Sequence, residues 1–200
     1  MDGSAILDGV TVPAAFARAL TACAGASALL LSACGSPIAT VTPSSSTSPS
    51  GAVSRAFTGT GFSTVIPSGW EDETSNQSAV ASVSGSGTVL MLLIAPDGGH
   101  IDVRTAPQPV PDDQLAQYLE SVSQSGATDL STAVPIDIDG VSGVVITYNL
   151  APSTGVVAKD EDMVVNQGGN TYDIVLNTAS ATFTQDVAAL QAVLDGWKWS

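Results

Sequence analysis

VPIDIDGVSGVVITYNL, residues 134–150, reads as two strands folded back on a tight turn. Its first six residues alternate apolar and polar, and Asp139-Gly140 is a strong hairpin-turn signal. The arm that follows sets Val144, Ile146, Tyr148 and Leu150 on one face. An antiparallel pair with one apolar face must bury that face against another layer. A second hairpin repeats the pattern around Gly168-Gly169-Asn170, between residues 156–165 and 172–176. In its second arm Tyr172, Ile174 and Leu176 point one way, Asp173 and Asn177 the other. Upstream, VLMLLI (Val89 to Ile94) is an unbroken apolar run, as expected for a central strand covered on both sides. Phe62 to Ile66 alternates and stops at Pro67, and Ile101-Asp102-Val103 makes a further short strand.

Two segments carry helical periodicity. From Asp112, a capping residue, Leu115, Tyr118 or Leu119, and Val122 recur on one face, and Gly126 ends the run. From Thr184, Val187, Leu190 and Leu194 recur with Phe183 just before them, and Gly196 stops the helix. Each helix has one apolar face, so each should lie on a sheet. Trp197-Lys198-Trp199 closes the chain as a short strand. The fold class is α+β: an antiparallel β-sheet flanked by helices.

The order of these motifs resembles a known family. FSTVIPSGW (Phe62 to Trp70) looks like the strand and Pro-x-Gly-Trp opening of the PsbP-like α/β/α sandwich. The acidic-capped helix, the Asp-Gly hairpin, G-N-x-Y-x-I-x-L (Gly169 to Leu176), F-x-x-x-V-x-x-L (Phe183 to Leu190) and the terminal W-x-W follow its later course. That course is similar to actinobacterial lipoproteins of the LpqN type and spans nearly all of residues 57–200. The resemblance implies a non-enzymatic, envelope-exposed interaction domain and carries over no catalytic residues. Trp70 and Tyr172 read as core and turn residues.

Ahead of the domain, Leu31-Ser32-Ala33-Cys34 reads as a lipobox, with cleavage before Cys34 and lipid attached to its thiol. Residues 19–33 are apolar or small and uncharged, shorter than the roughly 20 residues that cross a bilayer core. They match a secretory h-region with its small-residue cleavage site. The n-region departs from the usual basic pattern, because Arg18 is opposed by Asp2 and Asp8. The expected organisation is a signal peptide over 1–33, a Ser/Thr/Pro-rich tether over 34–56 and one globular domain over 57–200. The membrane is then a partner through the Cys34 lipid, and the domain lies on the extracytoplasmic side. Cys23 departs with the leader and Cys34 is acylated, so the domain has neither free thiol nor disulfide.

The chain has 19 acidic and five basic residues. Asp2, Asp8, Arg18 and Arg55 precede the domain, which keeps only Arg104, Lys159 and Lys198 as cations. A domain this acidic repels phosphate backbones, which excludes nucleic acid as a partner. Candidates for chemistry are few. His100 is the only histidine and follows Pro96-Asp97-Gly98-Gly99, so it is expected in an exposed loop. Ser86, between Gly85 and Gly87, reads as a flexible hairpin and not as a nucleophile elbow. Asp137-x-Asp139-Gly140 fails as a calcium loop, because Val141 and Tyr148 stand where ligands are required. Asp160-Glu161-Asp162 is a weak candidate for a metal ion and reads more readily as a solvated loop or edge strand. Glu71-Asp72-Glu73 has the same two readings. No catalytic residue and no cofactor is implied.

The expected function is a non-catalytic module that binds an envelope protein or lipid. Two alternatives make distinct structural demands. A carrier of an apolar ligand would need a cavity lined by residues such as Leu92, Ile146 and Leu176. A carboxylate hydrolase would need convergent polar groups in a cleft and a clearly perturbed carboxyl. Cys34→Ala should abolish incorporation of labelled fatty acid and shift the protein from the membrane to the soluble fraction. Unchanged labelling would exclude Cys34 as the anchor.

Overall fold

The computed structural model describes residues 54–83, 85–123, 126–151, 155 and 157–200. The leader, the lipobox Leu31, Ser32, Ala33 and Cys34, and the tether up to residue 53 lie outside the described residues. Eleven strands and three helices follow in chain order among them. The strands are β1 (Arg55–Thr58), β2 (Phe62–Ile66), β3 (Glu71–Asp72), β4 (Thr88–Ile94), β5 (His100–Thr105), β6 (Ala127–Thr128), β7 (Val134–Ile138), β8 (Val141–Leu150), β9 (Ala158–Gln167), β10 (Asn170–Ala179) and β11 (Lys198–Trp199). The helices are α1 (Gln77–Ser82), α2 (Leu115–Ser123) and α3 (Phe183–Asp195).

The two hairpins read from the sequence are both present and share an edge. β7 and β8 turn at Asp139-Gly140, where Asp139 (φ 51°) and Gly140 (φ 82°) are both left-handed, as a tight hairpin turn requires. β9 and β10 pair from Asn170↔Gln167 to Ala179↔Ala158, and β8 pairs with β9 beside them. The large sheet runs β3-β4-β5-β10-β9-β8-β6, with β7 also on β8, and every pairing is antiparallel. β1, β2 and β11 form a separate small sheet. β1 takes in Arg55 and Ala56, which composition assigned to the tether, because a strand is held by its backbone pairing to Val65 and Ile66 whatever its side chains. Among the described residues no helix is long and apolar enough to cross a membrane.

The large sheet divides its two faces sharply. One face carries Met91, Leu93, Ile101, Val103, Val145, Met163, Val165, Tyr172, Ile174 and Leu176 into the principal core. α3 packs against both β10 and β2 over that face, contributing Leu190 and Val193. Phe62 and Trp197 stack at 4.2 Å, nearly parallel, while Trp199 leans on Trp197 at 5.1 Å and on Tyr172 at 5.0 Å. Stacks of this kind contribute about 0.5–1.5 kcal/mol each beyond burial. The terminal W-x-W therefore welds the small sheet to the large one. On the opposite face α2 sets Leu115 and Leu119 on Ile146, Tyr148 and Val164. Helices on both faces of an antiparallel sheet make an α/β/α sandwich.

α1 was not expected from the sequence. It is six residues long with no buried residue, so it lacks the apolar stripe that announces a helix. Asn76 starts it by accepting from the N–H groups of Ser78 and Ala79.

Candidate functional site

α2 covers only part of the second sheet face. The uncovered part is polar and buried at once. Strand alternation puts His100, Asp102 and Arg104 of β5 on this face, with Asp160 and Asp162 of β9, Asp173 and Asn177 of β10, and Tyr148 of β8. Register aligns them in rows: His100, Asn177, Asp160 and Tyr148 lie abreast, then Asp102, Val175 and Asp162, then Arg104 and Asp173. Together with Tyr118 of α2 and the segment after α1 they enclose a cavity of about 480 Å³.

Asp102 is fully buried and receives Arg104 Nε at 2.7 Å and Arg104 Nη2 on the same Oδ2 oxygen. His100 Nε2 stands 3.4 Å from the other oxygen. Gly85 caps the guanidinium: a Cβ there would fall 1.4 Å from Arg104 Nη1, and the residue has φ +138°, so only glycine lets the chain pass. α2 is held in place by Asn166, whose amide donates to the Val110 carbonyl at 2.7 Å and to Asp112 at 2.6 Å.

The remaining carboxylates are short of donors. Asp162 and Asp173 are 2% and 5% exposed, and each has one oxygen that, apart from the neighbouring carboxyl, receives no donor among the described residues. Tyr148 donates to the other Asp162 oxygen at 3.5 Å. Burial first, then the adjacent charge of Asp173 and its hydrogen bond, holds the Asp162 carboxyl well above the usual range. Burial also raises Asp173, against the pull of its bond to Asp162 and of Arg104. Two acids side by side cannot both ionise cheaply, so the two carboxyls titrate as a pair above the ordinary range. Asp160 is pushed up to about 6 by burial, although the Asn177 amide donates to it at 2.6 Å. Tyr118 is raised to about 12, by burial and then by Asp173 and Asp162.

Several expectations need correction here. Asp160 and Asp162 are not solvated: β9 is flanked by β8 and β10, and both side chains are buried. Glu161 points to the opposite face by the two-residue period, so Asp160-Glu161-Asp162 cannot act as one metal-ligand set. Among the described residues no group of three or more His, Cys, Asp or Glu is placed to hold a metal ion. His100 is not a loop residue; it opens β5 and is only 20% exposed, facing Asp102. Ser86 is exposed at the rim and makes no side-chain hydrogen bond among the described residues. Leu176 lies in the principal core and Ile146 under α2 across the sheet, so Leu92, Ile146 and Leu176 cannot line one cavity. Glu71 and Asp72 are exposed on the edge strand β3, as a solvated reading has it. Asp139 leaves its strand for the turn, where it binds Lys198 Nζ at 2.5 Å and the Trp199 N–H at 3.2 Å.

No protein-family model and no curated protein matches this chain. Solved structures do. LpqN of Mycobacterium tuberculosis, described as involved in cell envelope biogenesis, superposes with a TM-score of 0.50 at 11% identity, over 68% of this chain and 82% of that one. The fold is LpqN-like. Cyanobacterial PsbP (CyanoP) of Synechocystis sp. PCC 6803 matches with a TM-score of 0.48 at 18% identity, over 80% of this chain and 100% of that one. The antiparallel sheet flanked by helices that the motif order led us to expect is the fold observed.

A raised carboxyl makes the folded state hold protons that the unfolded chain releases. Its stabilisation is complete below the unfolded pKa near 3.8 and is lost as pH rises through the folded value, for Asp160 about 6. Urea unfolding should therefore show stability falling between about pH 4 and pH 7, by on the order of 2–3 kcal/mol from Asp160 alone. Asp160→Asn should flatten that part of the curve; an unchanged slope would contradict the burial reading.

Proposed function

We propose that this chain is a lipid-anchored extracytoplasmic module that binds a ligand or partner of the cell envelope without transforming it, using the polar pocket beside α2. The observation that carries this is the cavity itself: it is bordered by Tyr118 of α2 and the Gly85 segment and floored by buried carboxylates, those of Asp162 and Asp173 each keeping an oxygen for a ligand. Cavities of roughly 300–1,000 Å³ with a few fixed polar groups are the usual form of a ligand site. The Cys34 lipobox supports the anchor, and the LpqN-like fold supports a setting in the envelope. Ser86, the hydroxyl at the rim, has no base bonded to it, which argues against nucleophilic catalysis there.

A hydrolase is the second reading, and one observation favours it. Asp162 and Asp173 are buried in one cleft with both carboxyls raised, a setting in which one carboxyl can serve as acid and its neighbour as base. Envelope extract captured on the purified chain, and on an Asp162→Asn, Asp173→Asn variant, separates the two. A binding module retains an intact partner that the variant loses about tenfold or more, equivalent to about 1.4 kcal/mol. A hydrolase leaves shortened material on the unsubstituted chain only. Equal capture by both chains would overturn the pocket as the binding site.

A further inference from the structure

We propose that the pocket takes a small organic cation, an ammonium-bearing molecule seated on Asp162 and Asp173. The inference deepens the binding-module reading and rests on it. Apart from each other, Asp162 Oδ1 and Asp173 Oδ1 are buried acceptors that receive no N–H or O–H from the described residues, and they line a cavity that has room for a ligand. An unsatisfied buried acceptor costs about 1–3 kcal/mol, more when charged, and a ligand that supplies N–H groups recovers it. An ammonium group offers three donors and no acceptor, which matches the two carboxylate oxygens of Asp162 and Asp173.

The charge balance has the same sign. Asp102, Asp160, Asp162 and Asp173 line the cavity against one guanidinium, and Arg104 spends two of its donors on Asp102. Anionic ligands are therefore repelled. A bare metal ion is disfavoured, because no three ligating side chains among the described residues are grouped for one. Tyr118 and Tyr148 add aromatic walls, a surface that attracts organic cations.

The cation and a carboxyl proton compete for the same oxygens. Facing the site are His100, Asp102 and Arg104 from β5, Asp160 and Asp162 from β9, Asp173 from β10, Tyr148 from β8 and Tyr118 from α2. Ser82, Val83, Gly85 and Ser86 bring no charge. When the ammonium group settles on the pair, a proton held by Asp162 or Asp173 leaves to solvent, and both carboxylates become acceptors for N–H. Alkylammonium groups stay protonated well above neutral pH, as lysine does at about 10.4. Any pH dependence below that range therefore belongs to the protein.

The test is calorimetric titration of the purified chain with 1,4-diaminobutane, with 1,4-butanediol and succinate as neutral and anionic controls and Ca²⁺ as the metal control. The expected result is saturable single-site binding of the diamine alone. It should tighten as pH rises from about 5 to about 7 and release about one proton per ligand, read from buffers of different ionisation enthalpy. Asp162→Asn should weaken it about tenfold or more. If that variant does not fold, proton release and pH dependence in the unsubstituted chain carry the test. No saturation, equal binding of the diol, or binding of Ca²⁺ in place of the diamine would overturn the proposal. Envelope capture judges the binding-module reading separately, so failure of the diamine does not decide it.

Discussion

The pair between Arg104 and Asp102 is the interaction on which the second sheet face depends. Arg104 is the one buried cation among the described residues, and it lies in the same face as four buried aspartates. Its guanidinium binds Asp102 through two nitrogens and supports the Gly85 segment above it. Breaking such a pair from one side costs about 3–5 kcal/mol, because the other charge is left buried and alone. With it in place, the charged row can sit in the middle of a sheet instead of at its edge.

The rest of the fold gives that row a rigid frame. Behind it, Ile101 and Val103 of β5, Met163 and Val165 of β9, and Tyr172, Ile174 and Leu176 of β10 are locked into the core, so strand register cannot slip without exposing them. Beside it, α2 and the Asn166 bonds fix one wall. Unpaired carboxylates in such surroundings lower stability. Natural sequences keep features of that kind at sites where something binds.

Much of the frame was legible in the sequence, because it rests on periodicity. The Asp139-Gly140 hairpin, the β9–β10 hairpin, α2, α3 and the W-x-W strand all announce themselves by alternation, capping or glycine stops. α1 and the two-residue strands β3 and β6 did not, since none has a buried apolar pattern of its own. The site was missed for a different reason. An alternating acidic residue reads the same whether water or a polar pocket lies over it, so Asp160 and Asp162 passed for solvated residues. What identifies them as buried is the neighbouring strand on each side, together with Asp102 and Arg104 from about sixty positions earlier. The signal available was that Asp102 and Asp173 alternate with strongly apolar residues and that Asp162 runs straight into Met163-Val164-Val165, in segments long enough to be central.

The raised, interacting carboxyls of Asp162 and Asp173 link burial, charge and ligand preference. The direct measurement is a ¹³C NMR titration of the aspartate side-chain carboxyls in the ligand-free chain. Burial of the pair predicts a carboxyl that loses its proton well above the ordinary carboxylate range, with the shifts of Asp162 and Asp173 moving together. Independent titration of both near the ordinary value of about 3.9 would contradict it.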